Sequence, residues 1–102
     1  MYFYLIHYFI IYSKISLSMT NNEILKKQII YRSTHRGTKE LDLLLGNFVK
    51  KYIDKLDESD LRDLEKLLLV EDEILYKWYF ENNSGSLIQN TKVSLLLKKF
   101  KF

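Results

Sequence analysis

Few residues in this 102-residue chain could do chemistry, and most of them are scattered. His7 and His35 are the only imidazoles, and they lie far apart; there is no cysteine. That excludes a disulfide framework, a thiolate redox site and the clustered ligands a zinc ion requires. Gly37, Gly46 and Gly85 stand singly, so no glycine-rich loop can cradle a phosphate. Carboxylates are dense between Asp54 and Glu73, but helix capping and solvation account for them better than acid–base work. No nucleophile, base and orienting group converge, and the chain is not expected to be an enzyme. One segment is different. Between Tyr31 and Glu40 the chain places Arg32, His35, Arg36, Gly37 and Glu40 around what should be a junction between two helices. On the residues alone the favoured reading is an ordinary solvated turn with a helix-stopping glycine, since junctions of this kind are common.

The elements that must position this junction are helical. The chain has no proline and only three glycines, so long helices can run without internal breakers. Thr20, Asn21 and Asn22 are candidate caps for a first helix through Ile24, Leu25, Ile29, Ile30 and Tyr31 to about His35. Gly37 is expected to end it by tolerating positive φ. A second helix, capped by Thr38, repeats Leu41, Leu44, Leu45, Phe48, Val49 and Tyr52 at helical spacing and breaks near Asp54 to Leu56. Asp57 should cap a third helix with Leu61, Leu64, Leu67 and Leu68 on its inner face. A fourth carries Ile74, Leu75, Trp78 and Tyr79; Tyr76 and Trp78 are expected in the core rather than at a contact. Asn82 to Ser86 reads as a loop, and a fifth helix buries Val93, Leu96, Leu97 and Phe100. The expected architecture is all-α, a small antiparallel bundle of about five short helices.

Charge runs basic, acidic, basic along the chain, and the net charge is only +3. This order suits a compact domain docking on a protein better than a single basic face for nucleic acid. Residues 2–12 form an apolar run, shorter than the roughly 20 residues of a membrane span and lacking the basic opening of a secretory signal. Residues 1–18 are therefore read as a hydrophobic N-terminal extension, absent from the mature protein if Met19 is the true start. An export signal or anchor is the alternative. Residues 19–102 form the helical domain, which is expected to fold without the extension.

Arg36-Gly37-Thr38-Lys39-Glu40 matches the Arg-Gly-x-x-Glu hallmark of the SdhE family of succinate dehydrogenase assembly factors. The resemblance continues through Leu41-Asp42 to Phe48, the acidic start of the third helix, and the Leu67-Leu68 pair. It ends at Glu71-Asp72-Glu73-Ile74-Leu75-Tyr76-Lys77-Trp78, similar to the family's acidic-Asp-x-x-Leu-aromatic-x-Trp signature, so residues 24–80 match in order and spacing. Many family members have proline where Glu73 stands. The resemblance implies an assembly factor that binds the succinate dehydrogenase flavoprotein subunit, with the fumarate reductase flavoprotein as a second candidate partner, and promotes covalent FAD attachment (flavinylation). The chain would bind no cofactor, since FAD and the histidine that attacks its 8α carbon belong to the partner. Its contribution would be positioning. The partner-binding residues so implied are Arg36, Gly37 and Glu40, with Arg32 and His35 extending the patch. Arg36 would face the partner, Glu40 would orient it or pair across the interface, and Arg36→Ala would change stability little. The chain is expected to be cytoplasmic, monomeric when free, and without stable membrane insertion.

The rival reading is a small helical nucleic-acid-binding or antitoxin-like module in which Lys26, Lys27, Arg32 and Arg36 of the first helix track phosphates. The acidic middle of the chain counts against it.

Overall fold

The computed structural model describes residues 20–83 and 87–102. The expectations for residues 1–18, and for the centre of the loop at 84–86, lie outside the described residues. Five helices follow in order: α1 (Asn21–Ser33), α2 (Lys39–Tyr52), α3 (Glu58–Leu68), α4 (Asp72–Phe80) and α5 (Lys92–Lys99). The described residues contain no strand, and the fold is the small all-α bundle expected from the sequence.

Four of the five helices begin on a side-chain cap. Thr20, Thr38, Asp57 and Thr91 each accept an amide from the first turn, and Thr91 and Ser94 complete a reciprocal capping box on α5. The entry to α4 at Glu71 has no side-chain cap. α1 ends at Ser33, two residues before the expected end. There the Ser33 and Thr34 hydroxyls donate to the Ile30 carbonyl at 2.8 and 3.1 Å, and the Thr34 amide turns back to Tyr31. Local hydroxyl bonds of this kind offer the backbone an alternative to continuing the helix. Gly37 therefore does not stop the helix with positive φ; among the described residues only Asn82 has positive φ.

The core follows the apolar periodicity. Leu25 and Ile29 of α1, Leu41, Leu44, Leu45, Phe48 and Val49 of α2, and Leu61, Leu64, Leu67 and Leu68 of α3 are buried together. Leu75 and Trp78 of α4 and Val93 and Leu97 of α5 close it. α1 packs on α2 and α3, and α5 packs on α3. Trp78 lies in the core as expected, whereas Tyr76 is half-buried and packs on the Phe80 ring at 4.6 Å. Leu96 and Phe100, expected inside, are only partly buried. Two regions of helix ends meet: the α1–α2 junction touches the α3–α4 junction through Arg36 and Asp72, and the lysine-rich ends of α2 and α5 are joined through Phe48 and Phe100.

Candidate functional site

The α3–α4 connection is short, so α3 leaves its last carbonyls without intrahelical donors just where α4 begins. Arg36, in the α1–α2 connection, fills that gap. Its Nη1 donates to the Leu68 carbonyl at 2.7 Å and to the Arg32 carbonyl at 3.3 Å; its Nη2 donates to the Val70 carbonyl at 3.1 Å. A cation at a helix C-terminus also opposes the negative end of the helix dipole. The same Nη2 meets Asp72 Oδ1 at 2.6 Å, and the Arg36 side chain is only 8% exposed. The Nε is buried without an acceptor among the described residues.

Asp72 opens α4, and its second oxygen is used as well. Oδ2 accepts the Gly37 amide at 2.5 Å. A Cβ placed on Gly37 would stand 2.6 Å from that oxygen, so any side chain there would have to push the carboxylate aside. On the other flank, Asp42 Oδ1 in the first turn of α2 accepts the Arg36 amide at 2.7 Å. One dipeptide, Arg36-Gly37, thereby ties the end of α1, the start of α2, the end of α3 and the start of α4.

The guanidinium expected to face a partner is instead turned inward. The carboxylate that orients it is Asp72 rather than Glu40, because Glu40 lies exposed in the first turn of α2. Arg32 reaches Glu65 of α3 at 3.6 Å and stays partly exposed. His35 is exposed, stacked on Tyr31 with ring centroids 3.9 Å apart, its Nδ1 lying 2.7 Å from the Tyr31 carbonyl. The five residues singled out in sequence are thus adjacent, but they divide. Arg36 holds the junction from inside, while Gly37, Glu40, His35 and part of Arg32 form its outer surface. Asp42 and Asp72 were not singled out, although both stand inside the matched runs; an Asp in each was the available signal.

Among the described residues no group of His, Cys, Asp or Glu is arranged to hold a metal ion, and no helix is long and apolar enough to cross a membrane. What this arrangement can do chemically is present a fixed backbone turn flanked by a carboxylate and an imidazole to another surface.

Residues 27–101 match a family described as "Flavinator of succinate dehydrogenase". The chain is similar to "Succinate dehydrogenase assembly factor 2, mitochondrial" of Dictyostelium discoideum, 43% identical over 65 residues that cover 64% of this chain and 46% of the relative. Its similarity to the protein of the same name from Saccharomyces cerevisiae (strain S288c) is 34% identity over 90 residues, covering 82% and 56%. To "FAD assembly factor SdhE" of Acetobacter pasteurianus it is 36% identical over 55 residues, covering 54% and 50%. The chain thus spans about half the length of these relatives. No solved structure matches it.

Proposed function

This chain belongs to the family of succinate dehydrogenase flavinators, and we propose that it binds the immature succinate dehydrogenase flavoprotein subunit and promotes that subunit's covalent attachment to FAD. The observation that carries this reading is the Arg36–Asp72–Gly37 closure, which fixes the Arg-Gly-x-x-Glu segment as a rigid surface. The chain is an assembly factor and not an enzyme. The bond-forming groups, a histidine and the flavin, both belong to the partner, and the flavin supplies its own electrophilic carbon. The chain's residues orient and hold. Gly37 offers backbone at van der Waals range, Glu40 accepts partner donors, and His35 and Arg32 extend the contact. A fixed surface loses little entropy on docking and so favours one arrangement of the partner's domains.

The fumarate reductase flavoprotein is proposed as a second client, and the free chain as a monomer. Several relatives are named mitochondrial, whereas the Acetobacter relative is named only as an FAD assembly factor. The place of action proposed is therefore the compartment where the flavoprotein matures: the cytoplasm, as expected from the sequence, or the mitochondrion. The nucleic-acid reading loses support, because Lys26, Arg32 and Arg36 are engaged by Asp54, Glu65 and Asp72. Co-expression with the flavoprotein in cells lacking their own assembly factor tests the function. Covalent flavin, read as fluorescence surviving denaturation, should rise clearly over an empty vector; equal fluorescence would refute it.

A further inference from the structure

Away from the junction, α2 and α5 both finish in lysines. Lys50 and Lys51 occupy the last turn of α2, Lys98 and Lys99 that of α5, and Lys55 and Lys101 follow just beyond. Aromatic rings lie between them. Phe100 meets Phe48 at 5.5 Å and Tyr52 at 6.3 Å, which brings the two helix ends together. Lys51 Nζ lies 5.4 Å from the Tyr52 ring centre and 5.8 Å from that of Phe100, and Lys55 Nζ lies 5.7 Å from Tyr52. On the α4 side, Lys98 sits 4.8 Å from the Trp78 ring centre and donates to the Trp78 carbonyl. Beside it opens a cleft of about 410 Å³ lined by Tyr79, Phe80, Asn82, Lys98, Lys101 and Phe102.

Most cations elsewhere are paired: Lys26, Arg32, Arg36, Arg62, Lys77 and Lys92 each stand within ion-pair distance of a carboxylate, whereas Lys27, Lys39 and Lys66 do not among the described residues. None of the lysines on this end does so among the described residues. Of the side-chain carboxylates closest in sequence, Asp54 is engaged by Lys26, Asp57 caps α3, and Glu81 is a single exposed group. Burial and then Lys101 push the Lys98 amine below its ordinary range, as expected of a cation crowded by another and lacking a counter-charge.

We infer that this ring-lined basic end docks an acidic segment of the partner flavoprotein, with carboxylates meeting the lysines and an apolar side chain entering the cleft. The inference rests on the proposed function and deepens it. α2 has 14 residues, and at about 1.5 Å per residue this end lies roughly 20 Å from the junction. A protein partner can reach both and so be held in one orientation. A nucleic acid would need a more continuous basic face. A bilayer would need several rings free to insert, whereas Tyr52, Tyr79, Phe80 and Phe100 pack against the core and only Phe102 is exposed among the rings of this end.

The test uses the full chain carrying Lys51→Glu, Lys55→Glu and Lys101→Glu together, with Lys98 left to cap α4. Calorimetric titration into the cognate flavin-free flavoprotein is run at about 50 and about 300 mM salt, where screening lengths are about 14 and about 6 Å. Binding of the parent should weaken with salt. The triple variant should bind roughly tenfold more weakly at low salt and lose most of the salt response, with its melt unchanged. Glutamine at the same three positions should act in the same direction and less strongly, which guards against a folding effect of charge reversal. Variants that bind like the parent would overturn the inference. On the free chain, a synthetic peptide alternating Glu and Leu should shift the amide resonances of residues 50–55 and 98–101. Tighter binding to phosphatidylserine vesicles or to a DNA duplex than to this peptide would also overturn it. If the parent adds no covalent flavin over an empty vector, the proposed function fails on its own, and the peptide titration still decides the surface.

Discussion

Asp72 grips Arg36 and Gly37 simultaneously, one carboxylate oxygen 2.6 Å from the guanidinium and the other 2.5 Å from the next residue's amide. The Arg-Gly pair is thus part of the bundle's internal bracing. Arg36→Ala would strip α3 of donors to Leu68 and Val70 and leave Asp72 without its cation. A loss of about 1–3 kcal/mol is expected, because the carbonyls lose buried donors while the Asp72 side chain is 31% exposed and keeps part of its hydration. This reverses the expectation drawn from sequence that Arg36→Ala would be nearly silent. Urea unfolding followed by helicity measures it; a loss no larger than that of an exposed substitution would show that the guanidinium is not held as described. Arg36→Lys should recover only part, since an ammonium cannot reach two carbonyls and a carboxylate as a planar fork does.

Gly37→Ala tests the close approach directly. The added methyl must displace Asp72 Oδ2, which breaks the hydrogen bond that the Gly37 amide donates to it and loosens the guanidinium. A loss of about 1–3 kcal/mol is expected, in line with overpacking and an unmade buried hydrogen bond. Combined with Asp72→Ala, the two losses should sum to clearly less than additive, because both act on one contact. Full additivity would mean that Gly37 matters for another reason.

The core prediction is simpler. Leu44 and Leu68 are 1% and 2% exposed, so Leu44→Ala and Leu68→Ala should each cost about 2–5 kcal/mol in thermal or urea unfolding. Leu43→Ala, one position along and exposed, serves as the control and should cost much less.

Alkaline pH should expose the α4–α5 contact. Tyr79 donates its hydroxyl to the Phe100 carbonyl, and burial raises its pKa above the ordinary 10.0. A raised pKa contributes stability that is complete below pH 10 and lost as pH climbs through the folded value. Lys98, lowered by burial and then by Lys101, works oppositely and adds stability as pH rises through its folded value toward 10.5. Replacing Tyr79 by Phe removes only the first contribution. The melting temperature of Tyr79→Phe should therefore start lower at pH 8 and fall less than the parent's between about pH 9 and 11. Parallel curves would contradict the assigned direction.

The helices were legible in the sequence because their signals are local. Leu41, Leu44, Leu45, Phe48 and Val49 repeat at helical spacing, and Thr38 and Asp57 are of the residue types that cap. The end of α1 was missed because Gly37 is the more familiar stop signal, while Ser33 and Thr34 ended the helix with bonds to the preceding turn. The inward turn of Arg36 was not legible at all. It depends on carbonyls at Leu68 and Val70 and on Asp72, more than 30 residues away, and no periodicity reports which junctions will meet. The location of the candidate site was legible, since the motif itself marks it; the division of its residues between inside and outside was not.

The outer residues of the junction allow the function to be tested apart from the fold. Glu40 is exposed and its side chain makes no hydrogen bond or ion pair among the described residues, so Glu40→Ala should melt within about 0.5 kcal/mol of the parent, as surface substitutions usually do. If the outer surface of the junction is what the flavoprotein reads, the same variant should give clearly less covalent flavin when co-expressed with it. His35→Ala removes the ring stacked on Tyr31 and should show a smaller deficit in the same direction. The informative comparison is with Asp72→Asn. That variant should lose flavinylation and stability together, because it slackens the junction that displays Glu40. Flavinylation at the parent's level by a folded Glu40→Ala would remove Glu40 from the site while leaving the family assignment intact. A loss of covalent flavin that tracks melting temperature across all three variants would mean that only the fold, and not this surface, had been tested by the partner.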